Sequence, residues 1–102
     1  MYLVREVMHC KPGQVKALLE KFKKADEVMV RKGFDATTRV MTDVSGERYW
    51  TLVAEQEVAT LDEYAEQSRK MMSDPEVTAV MKGYHDLVQD GYREIYMIES
   101  SS

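Results

Sequence analysis

The sequence predicts an α+β domain of ferredoxin-like βαββαβ order, a four-stranded antiparallel sheet with two helices on one face. Two long stretches carry apolar residues at helical spacing, and each is flanked by β-rich runs. A short turn, Ser45-Gly46-Glu47, joins two of those runs as a hairpin. The length of 102 residues suits one domain with a modest core.

Each element has its own signal. Residues 2–10 are dominated by Tyr, Val, Leu and Met and predict the first strand, which Lys11-Pro12-Gly13 ends. Val15, Leu18, Leu19, Phe22, Ala25 or Asp26, and Met29 follow helical spacing until Gly33 closes the first helix. Residues 36–44, with Thr37, Thr38, Val40, Thr42 and Val44, form a β-branched run that predicts the second strand. Residues 48–58 predict the third. Thr60 and Glu63 read as a capping box, so the next helix begins at Leu61. Leu61, Tyr64, Ala65, Ser68, Met71 and Met72 mark its apolar face. Asp74-Pro75-Glu76 restarts the helix, because Asp caps and Pro is tolerated in a first turn. The stripe continues through Val77, Val80, Met81, Tyr84, Leu87 and Val88, with Gly91 as the expected close. Tyr92–Glu99 predicts the fourth strand and 100–102 a frayed tail, so the single domain spans 1–99.

Composition narrows the function. The apolar fraction of 44% and charged fraction of 31% are those of a folded globular chain. A net charge of -4 argues against nucleic acid, whose phosphates demand a basic patch. Lys21, Lys23 and Lys24 read as a solvated helix face. Cys10 stands alone, which forbids an intrachain disulfide and suits a reducing compartment. The N-terminus has no signal-peptide pattern, and no apolar run nears the ~18 residues of a membrane helix. The expectation is a cytoplasmic protein with no membrane partner.

In this topology the helices cover one face of the sheet and leave the other bare. Alternation assigns Tyr2, Val4, Glu6, Met8 and Cys10 to the helices, with Trp50, Leu52, Ala54, Val58, Ile95 and Met97. The open face is then mixed: Leu3, Val7, Tyr49, Val53, Tyr96 and Ile98 among Arg5, His9, Glu55 and Glu94. A surface so rich in aromatic and aliphatic groups calls for a cover.

Three short motifs carry a family resemblance. The first strand ends in Lys11-Pro12-Gly13, the second helix opens with Leu61-Asp62-Glu63-Tyr64, and its restart reads Asp74-Pro75-Glu76-Val77. In element order and in these motifs the chain resembles the dimeric α/β-barrel superfamily, and within it the NIPSNAP-like proteins. Those carry K-P-G, then L-x-E-R, then D-P-E-W, so Tyr64 and Val77 depart from the pattern. An Arg six residues before the Pro is also usual there; here that position is Glu6, with Arg5 beside it. The resemblance implies a homodimer whose two open faces pack together around a small-molecule cavity. The superfamily also includes cofactor-free monooxygenases of the antibiotic-biosynthesis type and haem-degrading enzymes. Their markers fall on Glu57, Glu66 and Met81 here, and neither the monooxygenase histidine nor the haem ligand is present.

The candidate chemistry is therefore acid–base. His9 and His85 are the only histidines. His9 ends the first strand toward the open face, and an imidazole there is a candidate proton acceptor. Glu55, sharing its strand face with Glu57 and lying near Glu94, is the second catalytic candidate. Arg5, Tyr49, Glu94 and Tyr96 are the candidate substrate-binding residues, with Arg5 holding an anionic group. As a buried cation Arg5 would otherwise pair with Glu55 or Glu94. No His-x-His or cysteine pair suggests a metal, and no G-x-G-x-x-G, P-loop or G-x-S-x-G appears. Neither metal nor cofactor is expected.

Three functions fit this reading. One is a cofactor-free oxygenase or isomerase on a small aromatic or carbonyl compound. Another is a non-catalytic ligand-binding or structural dimer. The last is a regulatory domain of ACT type, which shares the element order.

Overall fold

Helix α1 (Val15–Arg31) begins where Lys11-Pro12-Gly13 turns the chain out of β1 (Tyr2–Cys10), with Gly13 in the left-handed region at φ 79°. The helix stops at Gly33, again left-handed at φ 86°. The structure, a computed structural model, describes residues 1–34 and 39–101. The remaining elements are β2 (Arg39–Thr42), β3 (Thr51–Val58), α2 (Leu61–Ser73), α3 (Pro75–Met81), a 3-10 turn at Tyr84–Asp86, and β4 (Val88–Met97). Among the described residues they form one antiparallel sheet of order β2-β3-β1-β4. This is the ferredoxin-like α+β fold that the element order predicts.

The helices lie on the face predicted for them. Leu18 of α1 is fully buried against Leu52, Ala54 and Cys10, with Phe22, Val40, Tyr84, Leu87 and Val88 around them. Full burial of a leucine contributes roughly 1.5–3 kcal/mol, so Leu18 and Leu52 anchor this core. A second cluster joins α1 to α3 through Ala25, Val28, Met29 and Val77. The caps form as the sequence indicates. The Thr60 hydroxyl accepts the Glu63 N–H at 3.0 Å, and Asp74 Oδ1 accepts those of Glu76 and Val77 at 2.9 and 3.1 Å.

Three expectations are corrected. The last helix does not run to Val88 with Gly91 as its close. It ends at Met81, because Gly83 takes φ 85°, and the chain re-enters the sheet at Val88. Tyr84, Leu87 and Val88 do bury their side chains, but from a turn and a strand start, which spacing alone cannot distinguish from a helix. Gly91 lies within β4 opposite Met8. The second strand ends at Thr42 rather than at residue 44: its described span is Arg39–Thr42, and residues 36–38 lie outside the described residues. The third strand begins at Thr51 rather than residue 48, because Trp50 takes φ 60° and breaks the strand geometry.

Candidate functional site

The uncovered face is built by register. Along β1 the residues Leu3, Arg5, Val7 and His9 stand opposite Glu57, Glu55, Val53 and Thr51 of β3. On the other side they meet Tyr96, Glu94, Tyr92 and Asp90 of β4. Alternation makes all of these side chains neighbours on one surface. Val7 is the buried apolar floor at the centre of this face.

Charges cross the sheet in a line. Arg5 Nη1 donates to Glu94 at 3.1 Å, and Arg5 Nε lies 3.6 Å from Glu55. Glu55 also accepts from Arg39 at 3.3 Å, and the Tyr96 hydroxyl donates to Glu94 at 2.7 Å. The row thus links all four strands. Its members differ in exposure: the Glu55 side chain is 11% exposed, those of Arg5 and Glu94 34% and 33%. Donating to a carboxylate holds the Tyr96 phenol above its ordinary pKa.

A second cluster sits at the end of the face where β1 finishes. His9 Nδ1 lies 2.5 Å from Asp90 Oδ1 and 2.8 Å from Arg48 Nη1, and that same Arg48 nitrogen lies 3.2 and 3.3 Å from the two Asp90 oxygens. The imidazole is only 12% exposed and meets the Tyr92 ring edge-on at 6.0 Å. An ionised carboxylate only accepts and a guanidinium only donates. With the carboxylate the nearer group, Nδ1 carries a proton and donates it to Asp90, which leaves Nε2 as the second ring nitrogen. The His9 bond, followed by Arg48, holds the Asp90 carboxyl below its usual pKa, so it stays ionised to orient the ring.

A bulge lies next to this pair. His9 pairs with Asp90 but Cys10 pairs with Val88, so Gln89 is an extra residue on β4. Val88 thereby turns to the core while Asp90 stays on the open face beside His9.

The structure brings His9, Arg5, Glu55, Glu94 and Tyr96 onto one surface, with Glu55 and Glu94 both against Arg5. It does not bring Tyr49 with them. Tyr49 is 84% exposed in the hairpin, because alternation ends at the left-handed Trp50. Arg93 points to the helix side and pairs with Glu6, not with the strand-face carboxylates. His85 stacks on Tyr84 in the 3-10 turn, ring centroids 3.9 Å apart. Asp90 and Arg48 are absent from the sequence reading. Extending the fourth-strand alternation back from Tyr92 would have placed Asp90 on the open face. Arg48 had no such signal, since its direction depends on the irregular hairpin. Among the described residues no group of three or more His, Cys, Asp or Glu side chains is arranged to hold a metal, and no helix is long and apolar enough to cross a membrane.

No family model matches the chain, and neither does any curated protein. Solved structures do. A NIPSNAP family protein of unknown function from Agrobacterium tumefaciens superposes with a TM-score of 0.77 at 19% identity, covering 93% of this chain and 85% of that one. An uncharacterised NIPSNAP domain protein from Burkholderia xenovorans gives 0.75 at 14% identity, covering 95% and 93%. An antibiotic biosynthesis monooxygenase gives 0.69 at 13%, covering 95% and 97%. At such identities the likeness is one of fold, and the ferredoxin-like architecture is shared with both groups.

Proposed function

We propose that the open sheet face is a small-molecule site completed by a second copy of the chain, with His9 as its proton acceptor. The observation that carries this reading is the His9 imidazole, largely withdrawn from solvent and oriented by an ionised Asp90. A base held in one tautomer by a carboxylate is prepared to take a proton through its other nitrogen. Its reaction is removal of an acidic proton from a small aromatic or carbonyl compound. The C–H electron pair moves onto the carbonyl oxygen as an enolate. Return of the proton to another atom makes the protein an isomerase. A C–O bond formed between the enolate carbon and molecular oxygen, which is reduced by the enolate's electron pair and protonated to a hydroperoxide, makes it a cofactor-free oxygenase. The fold shared with an antibiotic biosynthesis monooxygenase supports the second outcome. Exposed Tyr92 and Tyr96 on this face support a homodimer, since they flank the site and gain a cover from the partner sheet. A buried free Cys10, its thiol pKa raised chiefly by burial, suits a cytoplasmic setting.

The test is deuterium uptake from solvent by small alkyl aryl ketones and 3-aryl-2-oxopropanoates, which carry an α C–H, followed by proton NMR. The wild-type protein should exceed the buffer rate for at least one of them, and His9→Gln should lower that rate by about 10²–10⁴-fold. A wild-type rate equal to buffer, or an unchanged rate in His9→Gln, overturns the reading. A second reading, a structural dimer, is favoured by Arg5, whose charge is already closed between Glu55 and Glu94. It expects no exchange above buffer with any of these compounds.

A further inference from the structure

Among the described residues three arginines reach the open face: Arg39 lies at its β2 edge against Glu55, and the other two, Arg5 and Arg48, differ in what their donors already hold. Arg5 lies between two carboxylates, Glu94 at 3.1 Å and Glu55 at 3.6 Å. Arg48 has a poorer position. Its Nη1 lies 2.8 Å from His9 Nδ1, but that nitrogen donates its proton to Asp90 and accepts nothing. What remains to Arg48 is Asp90, reached from Nη1 alone at 3.2 and 3.3 Å. Among the described residues Nε and Nη2 of Arg48 make no hydrogen bond to the protein, and the side chain is 45% exposed.

The backbone beneath that side chain is held firmly. Thr51 Oγ1 donates to the Arg48 carbonyl at 3.0 Å, and the Thr51 N–H donates to Asp43 Oδ1 at 2.8 Å. The Cys10 N–H donates to the Trp50 carbonyl at 2.8 Å, which ties the hairpin to the residue after His9. Trp50 keeps φ 60° there, a conformation a tryptophan holds only when its surroundings impose it. A guanidinium on an anchored backbone, with one unused edge and beside an oriented base, is a receptor for an anion.

We propose that Arg48 receives the anionic group of the ligand, and that the site takes a small monocarboxylate whose acidic C–H or O–H faces His9. This rests on the open face being the ligand site. The unused Nε–Nη2 edge matches the two oxygens of a carboxylate. A second negative charge would meet Asp90, Glu94 and Glu55 on the same face and be repelled. Arg48 thus selects a monoanion rather than a dianion or a neutral compound, and Arg5 acts as a structural counter-ion.

The experiment titrates the full-length protein with benzoate and with its neutral analogue benzamide, reading the His9 ring and arginine side-chain signals by NMR. Benzoate should shift the His9 signals saturably and benzamide should not. Arg48→Gln should weaken benzoate binding by at least about ten-fold, the loss expected for one charged hydrogen bond, while Arg48→Lys loses less. Arg31→Gln, at the end of α1 on the other side of the sheet, should bind as the wild type does. An unchanged thermal midpoint in Arg48→Gln separates lost recognition from lost folding. Benzoate binding that survives Arg48→Gln, benzamide binding as tight as benzoate, or no wild-type binding each overturns the proposal. His9→Gln keeps the two readings apart, because it should retain benzoate binding while losing deuterium uptake. Binding through Arg48 without any deuterium uptake would sink the base and leave the receptor standing.

Discussion

Helices α1 and α2 carry the same kind of amphipathic pattern and lie on the same side of the sheet, yet they are held differently. α1 buries Leu18, Ala25, Val28 and Met29, while α2 buries no residue. α2 is attached by polar contacts instead. The Tyr64 hydroxyl donates to Glu6 at 3.4 Å, Gln56 donates to Gln67 at 2.6 Å, and Arg93 lies over the Tyr64 ring while pairing with Glu6. Beyond it Ile95 and Met97 of β4 stay exposed. The chain therefore has a packed half around β2, β3 and α1, and a loosely packed half around β4 and α2. The candidate site lies on the reverse of both, with Arg48 supplied by the hairpin of the first half and Asp90 by the edge strand of the second. The closely packed half and the loosely packed half meet at His9.

The largest test of that contrast is a pair of truncations. Leu18→Ala should cost about 2–5 kcal/mol, because the surroundings of a fully buried leucine collapse only in part. Met72→Ala, at 77% exposed, should stay within about 0.5 kcal/mol. Chemical denaturation of both variants reads this directly. A Met72→Ala cost approaching that of Leu18→Ala would mean that α2 is covered in the assembled protein, and the contrast would disappear.

A smaller effect separates loose side chains from a loose backbone. A Cβ on Gly91 would lie 2.6 Å from the Val7 carbonyl oxygen, a backbone atom that cannot swing aside. Gly91→Ala should therefore cost about 1–3 kcal/mol, in the range of overpacking, although β4 lies in the looser half. It should also displace Asp90, its neighbour, and shift the His9 NMR signals in the folded protein. Wild-type stability together with an unmoved His9 resonance would show that β4 yields easily and that its register does not fix the site.

Much of this fold was legible in the residues. β1 and the α2 bounds appear where Lys11-Pro12-Gly13, Thr60 and Asp74 place them, because turns and caps are local chemistry written in single residues. The open face was legible wherever strict alternation holds, so Arg5, His9, Glu55, Glu94 and Tyr96 were found. Alternation fails at Trp50 and at the Gln89 bulge, which depend on tertiary context; the irregular hairpin at Trp50 delivers Arg48, while Asp90 still follows the alternation of β4. Periodicity likewise showed which side of α2 is apolar, but it carries no information on whether anything covers that side.

The smallest expected effect is at the joint between the two halves. Asp74 ends α2, caps α3 and pairs with Lys32 just past α1 at 2.6 Å. The Lys32 bond, with the Val77 and Glu76 amides, holds its carboxyl below the ordinary value. The sign follows from linkage. A depressed native pKa adds stability above the unfolded-state value of ~3.9, and that stability is lost as pH falls through the lower native value. Asn caps a helix about as well as Asp but cannot carry the charge. Asp74→Asn should therefore melt slightly below the wild type at neutral pH, by a gap that is constant above about pH 5 and closes as the wild-type carboxylate is protonated. Glu76, whose pKa is lowered chiefly by Arg31, also touches Lys32, and placing Glu76→Gln in both proteins removes its titration from the difference. Thermal melts of the two proteins from pH 7 to pH 2 decide the matter. A gap that persists at the acid end would show that shape, not charge, makes Asp74 the tie between the loose helix and the packed one.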